Sequence, residues 1–352
     1  MESIRKVLIF FSKIVGYGLQ LLGAVTFQYS TKRSELVESR WAKYYCGFVA
    51  LFSPLGMAPF IENLMKNAAS RKENFLLTFI YVLRAMAFYV TYLITVELHF
   101  WKRKKLMRLL NELIAIAHIV KSLQTRESIF NRTFFLSILV EVVVTILRLV
   151  TSYFQATSQN GDESLDDFDS ETSSAYSNLQ LVFICSVHVG LIFISNLFKV
   201  LNEVLVVKFE ELEHIQVHQS HVEGQKWKRV RIKNDIEFLI EIYFRLYSVV
   251  EQLVIFFQWQ ILITTINLMV GTVTKCFTVF SPHSTCHLHY SLLFLSTLEF
   301  VDFFLIAVAS DVLVKKVALL RETLRTAMIF NEGGEKLERM VSKTLSILVE
   351  LE

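Results

Sequence analysis

YSLLFLSTLEFVDFFLIAVASDVLV, residues Tyr290–Val314, is long and apolar enough to cross a bilayer, yet it carries Glu299, Asp302 and Asp311. Glu299 and Asp302 stand three apart, so a helix places them on one face. Carboxylates at membrane depth are costly, and they turn toward a bundle interior, a water-filled cavity or a cationic partner. The rest of the chain has the same character. Of its 352 residues 53% are hydrophobic and only 20% charged, below the roughly 25% charge of soluble domains. The apolar residues fall into blocks of about 20, the length that spans hydrocarbon. Only helices or closed barrels satisfy the backbone there. The expected fold is an all-α polytopic membrane protein. Four cysteines without a Cys-x-x-Cys pair give no zinc or redox framework, so neither a metal nor a cofactor is expected.

Six spanning helices are expected, at residues 41–60, 75–96, 129–154, 179–205, 246–274 and 290–314, making a bundle over 41–314. Residues 1–40 read as an N-terminal segment with an interfacial helix at Ile9–Phe27, interrupted by Lys13 and three glycines, followed by a polar hinge at Tyr29–Arg40. Lys13 and the lack of a small-residue cleavage site argue against a signal peptide. After Trp101 comes a basic helix whose Leu106, Leu109, Leu110, Leu113 and Ile114 share a face, expected at the membrane surface. Thr157–Asn178 is acidic and Ser-rich, expected as a disordered loop. Val207–Arg245 reads as a charged helical connection, and 315–352 as an amphipathic tail.

Lys and Arg near the span ends set the orientation. Lys102, Arg103, Lys104, Lys105 and Arg108 follow span two. Lys226, Lys228, Arg229, Arg231 and Lys233 follow span four, and Lys315, Lys316 and Arg321 follow span six. The alternate loops are poor in both, and Thr157–Asn178 has none. The N-terminus and the tail are therefore expected in the cytoplasm and the acidic loop outside. That topology excludes the usual G-protein-coupled receptor arrangement.

Five segments then carry a resemblance. LLGAVTFQY with a basic hinge and SRW (Leu21–Trp41) leads toward span one, and ELHFWKRKKLMRLLNEL (Glu97–Leu113) leaves span two. NLFKVLNEVL (Asn196–Leu205) ends span four, RLYSVVEQLVIFFQWQIL (Arg245–Leu262) begins span five, and FVDFFLIAVASDVLVKK (Phe300–Lys316) ends span six. In order and spacing these pieces resemble the insect gustatory receptor family across almost the whole chain. The resemblance implies a seven-span receptor of inverted topology in the plasma membrane. It implies homo- or hetero-tetramers with related receptors, forming a cation channel gated by a small-molecule tastant. The ligand pocket would lie in the outer halves of spans two to six, and the pore along span seven. The Thr-Tyr, apolar run and Gln of that last span do not appear before Glu352. A truncated isoform, gene model or fragment, unable to form the pore alone, is the expectation.

Candidate residues fall into three sets. Phe79, Tyr81, Arg148, Tyr153, Phe183, His188, Tyr290, Phe294 and Glu299 are candidates for a ligand pocket, because such sites are mostly apolar with a few placed polar groups. Arg84, Glu141 and Asp302 are candidates for gating or interhelix charge. Static neutralisation between helices, for instance Arg84 with Glu141, is the plainer alternative, and any one aromatic among 30 Phe can simply face lipid. A disulfide between Cys276 and Cys286 is allowed outside the cell. No P-loop, nucleophile elbow or other catalytic motif occurs, so an enzyme is not expected. The basic stretches read as topology determinants and anionic-lipid contacts, not a nucleic-acid site. Two other functions compete with the receptor: a secondary transporter using the acidic face of span six, against which no internal repeat is visible, and a non-conducting accessory or defunct subunit.

Overall fold

The computed structural model describes residues 26–30, 34–52, 54–56, 62, 75–123, 132–159, 167–217, 223–279 and 286–330, with some helical side chains among them left undescribed. The expected interfacial helix within 1–25 and the tail beyond Phe330 lie outside these residues.

Seven α-helices carry the described chain: α1 (Arg40–Phe52), α2 (Phe75–Trp101), α3 (Arg103–Ser122), α4 (Arg132–Gln159), α5 (Asp167–Val217), α6 (Glu223–Val279) and α7 (Cys286–Phe330). Ser39 opens α1 as an N-cap, its hydroxyl accepting from the Ala42 amide at 3.4 Å. The helix ends at Phe52, just ahead of Pro54 and a short 3-10 turn at Pro54–Gly56. Two helices are unusually long: α5 has 51 residues and α6 has 57. Among the described residues two stretches, Phe183–Ile215 and Lys226–Thr274, are long and apolar enough to cross a membrane by length and composition.

Two expectations about secondary structure need correction. The polar hinge contains a β-hairpin of two four-residue strands in an otherwise helical chain. Strand β1 (Phe27–Ser30) pairs antiparallel with β2 (Glu35–Glu38), in a register that sets Tyr29 opposite Leu36. Ser34 closes the turn with φ 54°, in the left-handed region. The hairpin is pinned from outside. The Asn111 side chain of α3 accepts from the Leu36 amide at 2.6 Å and donates to the Leu36 carbonyl at 3.0 Å. Both backbone groups of Leu36 therefore point away from β1, which makes Tyr29–Leu36 a pair without hydrogen bonds of its own. Arg103 donates to Glu38 at 2.9 Å and to the Phe100 carbonyl at 2.8 Å, its guanidinium 4.8 Å over the Phe100 ring. Asn111→Ala removes both Leu36 bonds at once. Hydrogen exchange of the Leu36 amide is then expected to speed up about five- to tenfold, the loss of about 1–1.4 kcal/mol of protection. An unchanged rate by exchange mass spectrometry refutes the pinning.

The second correction concerns Thr157–Asn178, expected as a loop. Helix α4 runs to Gln159 and α5 begins at Asp167.

The chain divides into two compact units. One comprises residues 1–111, 138–188 and 253–306, the other 112–137, 189–252 and 307–352. In the second, α5 and α6 form an antiparallel pair with seams at helical spacing: Leu197, Leu201 and Leu205 on one side, Ile236, Leu239 and Tyr243 on the other, all nearly inaccessible. Phe198 meets Tyr243 edge-on at 5.7 Å, and Lys208 reaches Asp235 at 3.6 Å. The first unit holds the buried polar residues described next, beside a small apolar cluster of Val144, Leu295 and Leu298 with Val301 packed on it.

The apolar face of α3 was expected on a membrane surface. Leu106, Leu109, Leu113, Ile116 and Val120 are instead buried by protein, at 0–7% exposure. Amphipathic spacing alone does not distinguish a face covered by lipid from one covered by neighbouring helices.

Candidate functional site

The first unit is polar within and apolar without. Thr91, Thr95, Glu141, His188, Gln260, Asn267 and Asp302 are buried, while Phe48, Leu139, Val143, Trp259, Leu262, Phe300 and Phe304 are exposed. In water this inversion would leave apolar patches far larger than soluble monomers tolerate. Surrounded by hydrocarbon it is the stable arrangement, because polar groups there must find partners inside the protein.

Helices α4, α5 and α7 contribute the charged part. Glu141, 2% exposed, has both carboxylate oxygens engaged. Oε1 pairs with His188 Nδ1, and Oε2 accepts from Cys185 Sγ at 3.3 Å. Thr145, one turn along α4, meets the same Sγ at 3.6 Å. Two turns from Glu141, Arg148 Nη2 donates to Asp302 Oδ2 at 2.5 Å. Asp302 is wholly inaccessible, and its Oδ1 has no protein partner among the described residues. Glu299 lies one turn before Asp302 against α6, with a carboxylate oxygen 3.5 Å from where a Cβ on Gly271 would stand. Asp302 thus shares a field with Arg148, Glu141 and Glu299. The seven-residue spacing of Glu141 and Arg148 puts both on the α4 face that meets α5 and α7.

A second, uncharged ladder joins α2 to α6. Asn267 Nδ2 donates to Thr91 Oγ1 at 2.5 Å and to the Ala87 carbonyl at 3.1 Å. Gln260 Nε2 donates to Thr95 Oγ1 at 2.9 Å. One turn beyond Thr95, His99 lies edge-on to Phe257 at 5.8 Å, and Phe257 in turn meets Phe183 of α5 at 6.0 Å. Ala87, Thr91, Thr95 and His99 recur every four residues, so one face of α2 makes every contact.

Of the expected site residues, the structure brings together Glu141, Arg148, His188, Glu299 and Asp302, with Phe183 beside the ladder. Glu141 meets His188 and Cys185; the side chain of its suggested partner Arg84 lies outside the described residues. So do those of Tyr81, Tyr153, Tyr290 and Cys286. Phe79 and Phe294 face outward, at 53% and 42% exposure. Cys276 is a free thiol. Cys185, Thr145 and the threonines of α2 were not anticipated. The available signal was the four-residue spacing of Thr91 and Thr95, together with the polar Gln260 and Asn267 inside the apolar run 246–274.

A family model described as 7tm chemosensory receptor matches residues 12–346. Among solved structures the chain is similar to the insect olfactory receptor OR5 from Machilis hrabei. The TM-score is 0.53 at 10% sequence identity, over 96% of this chain and 88% of that one. At that identity the likeness is one of fold. No curated protein sequence matches.

Proposed function

The chain belongs to the 7tm chemosensory receptor family, and on that premise we propose that it is a gustatory-type receptor, a subunit of a cation channel gated by small-molecule tastants. It would sit in the plasma membrane with its N-terminus in the cytoplasm, crossing at the six positions read from the sequence, and would assemble with itself or related receptors as a tetramer. The carrying observation is the buried cluster of Glu141, His188, Arg148 and Asp302, drawn from three helices of one unit. Ion pairs inside a membrane bundle are costly to keep and mark the places where helices rearrange or ligands bind. A ligand that separates or rejoins such a pair shifts the balance between closed and open states. Phe183, His188, Arg148 and Glu299 are the residues we assign to the ligand side. Glu141 and Asp302 we assign to gating.

Whole-cell recording tests this directly. Cells expressing the chain together with a related receptor should give cation currents to some members of a panel of sugars, alkaloids and acids. Arg148→Met combined with Asp302→Leu, which strands neither partner, should abolish those currents without removing the protein from the surface. Substrate uptake with no gated current would sink the receptor reading in favour of a transporter.

The topology has its own test. Asn131-Arg132-Thr133 is a glycosylation acceptor by sequence. The Lys and Arg distribution puts it at the cytoplasmic end of the third span, so no glycan is expected. A mobility shift on glycosidase treatment, lost in Asn131→Gln, would invert the orientation.

A further inference from the structure

The first unit carries a basic corner that neither the buried cluster nor the gating reading uses. Lys102, at the turn joining α2 to α3, is exposed, as are Lys104, Lys105 and Arg108 on α3 and Arg40 at the start of α1. Lys43 lies one turn along α1. The first turns of α1 adjoin this corner, because Glu38, two residues before Arg40, is bound by Arg103, and Gly47 stands against Phe100. These six cations make no ion pair among the described residues. The carboxylates on the same elements are already engaged. Glu38 binds Arg103 at 2.9 Å, Glu97 accepts from Trp101 Nε1 at 2.6 Å, and Glu112 meets Arg245 at 3.6 Å. Among the cations of the Trp101–Arg108 run, Arg103 alone is turned inward, onto the hairpin. Trp41, Tyr44 and Trp101 stand 74–86% exposed beside the basic groups, as aromatic side chains do at headgroup level.

We propose that this corner binds a phosphorylated inositol lipid headgroup from the cytoplasmic leaflet. The chemistry is charge complementarity at close range. A headgroup with several phosphate charges can engage many of the six cations at once, whereas a phosphatidylserine brings a single net charge. Clusters of this size just past a spanning helix are typical seats for such lipids. The other strongly basic run, Lys226–Lys233, is differently placed. It belongs to the continuous helix α6 and lies 13 to 20 residues before Leu246, where the fifth span is read to begin. At 1.5 Å per residue that is about 20–30 Å along the helix, more than two screening lengths from the start of the span, since one is about 8 Å at physiological salt. Similar charge therefore gives unequal lipid binding. The proposal rests on the topology read above, which the Asn131 glycan tests by itself.

The test uses the purified chain in nanodiscs of phosphatidylcholine alone, with phosphatidylserine, or with phosphatidylinositol 4,5-bisphosphate at matched total charge, retained lipid being counted by native mass spectrometry. The bisphosphate lipid should be retained most. Each of Lys102→Gln, Lys104→Gln, Lys105→Gln and Arg108→Gln should weaken it about fivefold, the effect of one basic residue at an anionic surface. Combining all four should bring retention down to that in phosphatidylcholine. Lys226→Gln, Lys228→Gln, Arg229→Gln and Arg231→Gln together should leave it unchanged. Equal retention of the serine and inositol lipids, or equal loss in the α6 variant, overturns the proposal.

Discussion

Replacing Asp302 by alanine is expected to lower the stability of the folded chain by about 3–5 kcal/mol, the cost of stranding one partner of a buried ion pair. The stranded group is Arg148, whose Nη2 loses the 2.5 Å bond to Oδ2 while its Nε already lacks a partner among the described residues. The side chains are 14% and 0% exposed, so water cannot easily replace the lost contact. Arg148→Met combined with Asp302→Leu should recover most of the loss, since apolar replacement of both partners is often neutral or better. Unfolding of the wild type, Arg148→Met, Asp302→Leu and the double variant in one detergent gives the coupling energy. A double variant no more stable than Asp302→Ala would show that the pair does not hold α4 to α7.

The second large effect concerns Glu141 and His188, and it is expected to be asymmetric. His188→Leu leaves the Glu141 carboxylate buried with only the weak Cys185 thiol donor on Oε2, and about 3–5 kcal/mol should be lost. Glu141→Gln leaves an imidazole, which is stable as a neutral ring, and an amide that can still hydrogen-bond. That change should cost about 1–2 kcal/mol. Equal losses would mean that packing around α4 and α5, and not the charge on Glu141, sets the stability. Both variants also bear on function, because a receptor gated through this cluster should change its tastant threshold in step with the loss.

How much of this was legible in the sequence differs from residue to residue. Glu299 and Asp302 announced a polar face because carboxylates are rare in an apolar run. Their neighbours Glu141, Arg148 and His188 stood out for the same reason. Which charge met which could not be read, because pairing depends on the rotation and depth of each helix. The contact of Glu141 with His188 was one such pairing. The polar ladder of α2 was harder still, since threonine is common in apolar helices and becomes informative only opposite Asn267 and Gln260. The hairpin escaped because its strands are only four residues each and its turn, TKRS, lacks the Asn-Gly or Asp-Gly that usually marks one. Ser34 takes the left-handed conformation without a glycine to signal it. The face of α3 was visible as a face, but its covering was not.

Asn111 has a consequence beyond holding the hairpin in place. A two-stranded ribbon presents an open margin of amides and carbonyls to any extended chain that drifts past, and such margins seed strand addition between molecules. By satisfying both the amide and the carbonyl of Leu36, one asparagine side chain occupies the slot that an intruding strand would take first. In a protein proposed to crowd with its own copies in a bilayer, that seal works as negative selection against the wrong kind of assembly.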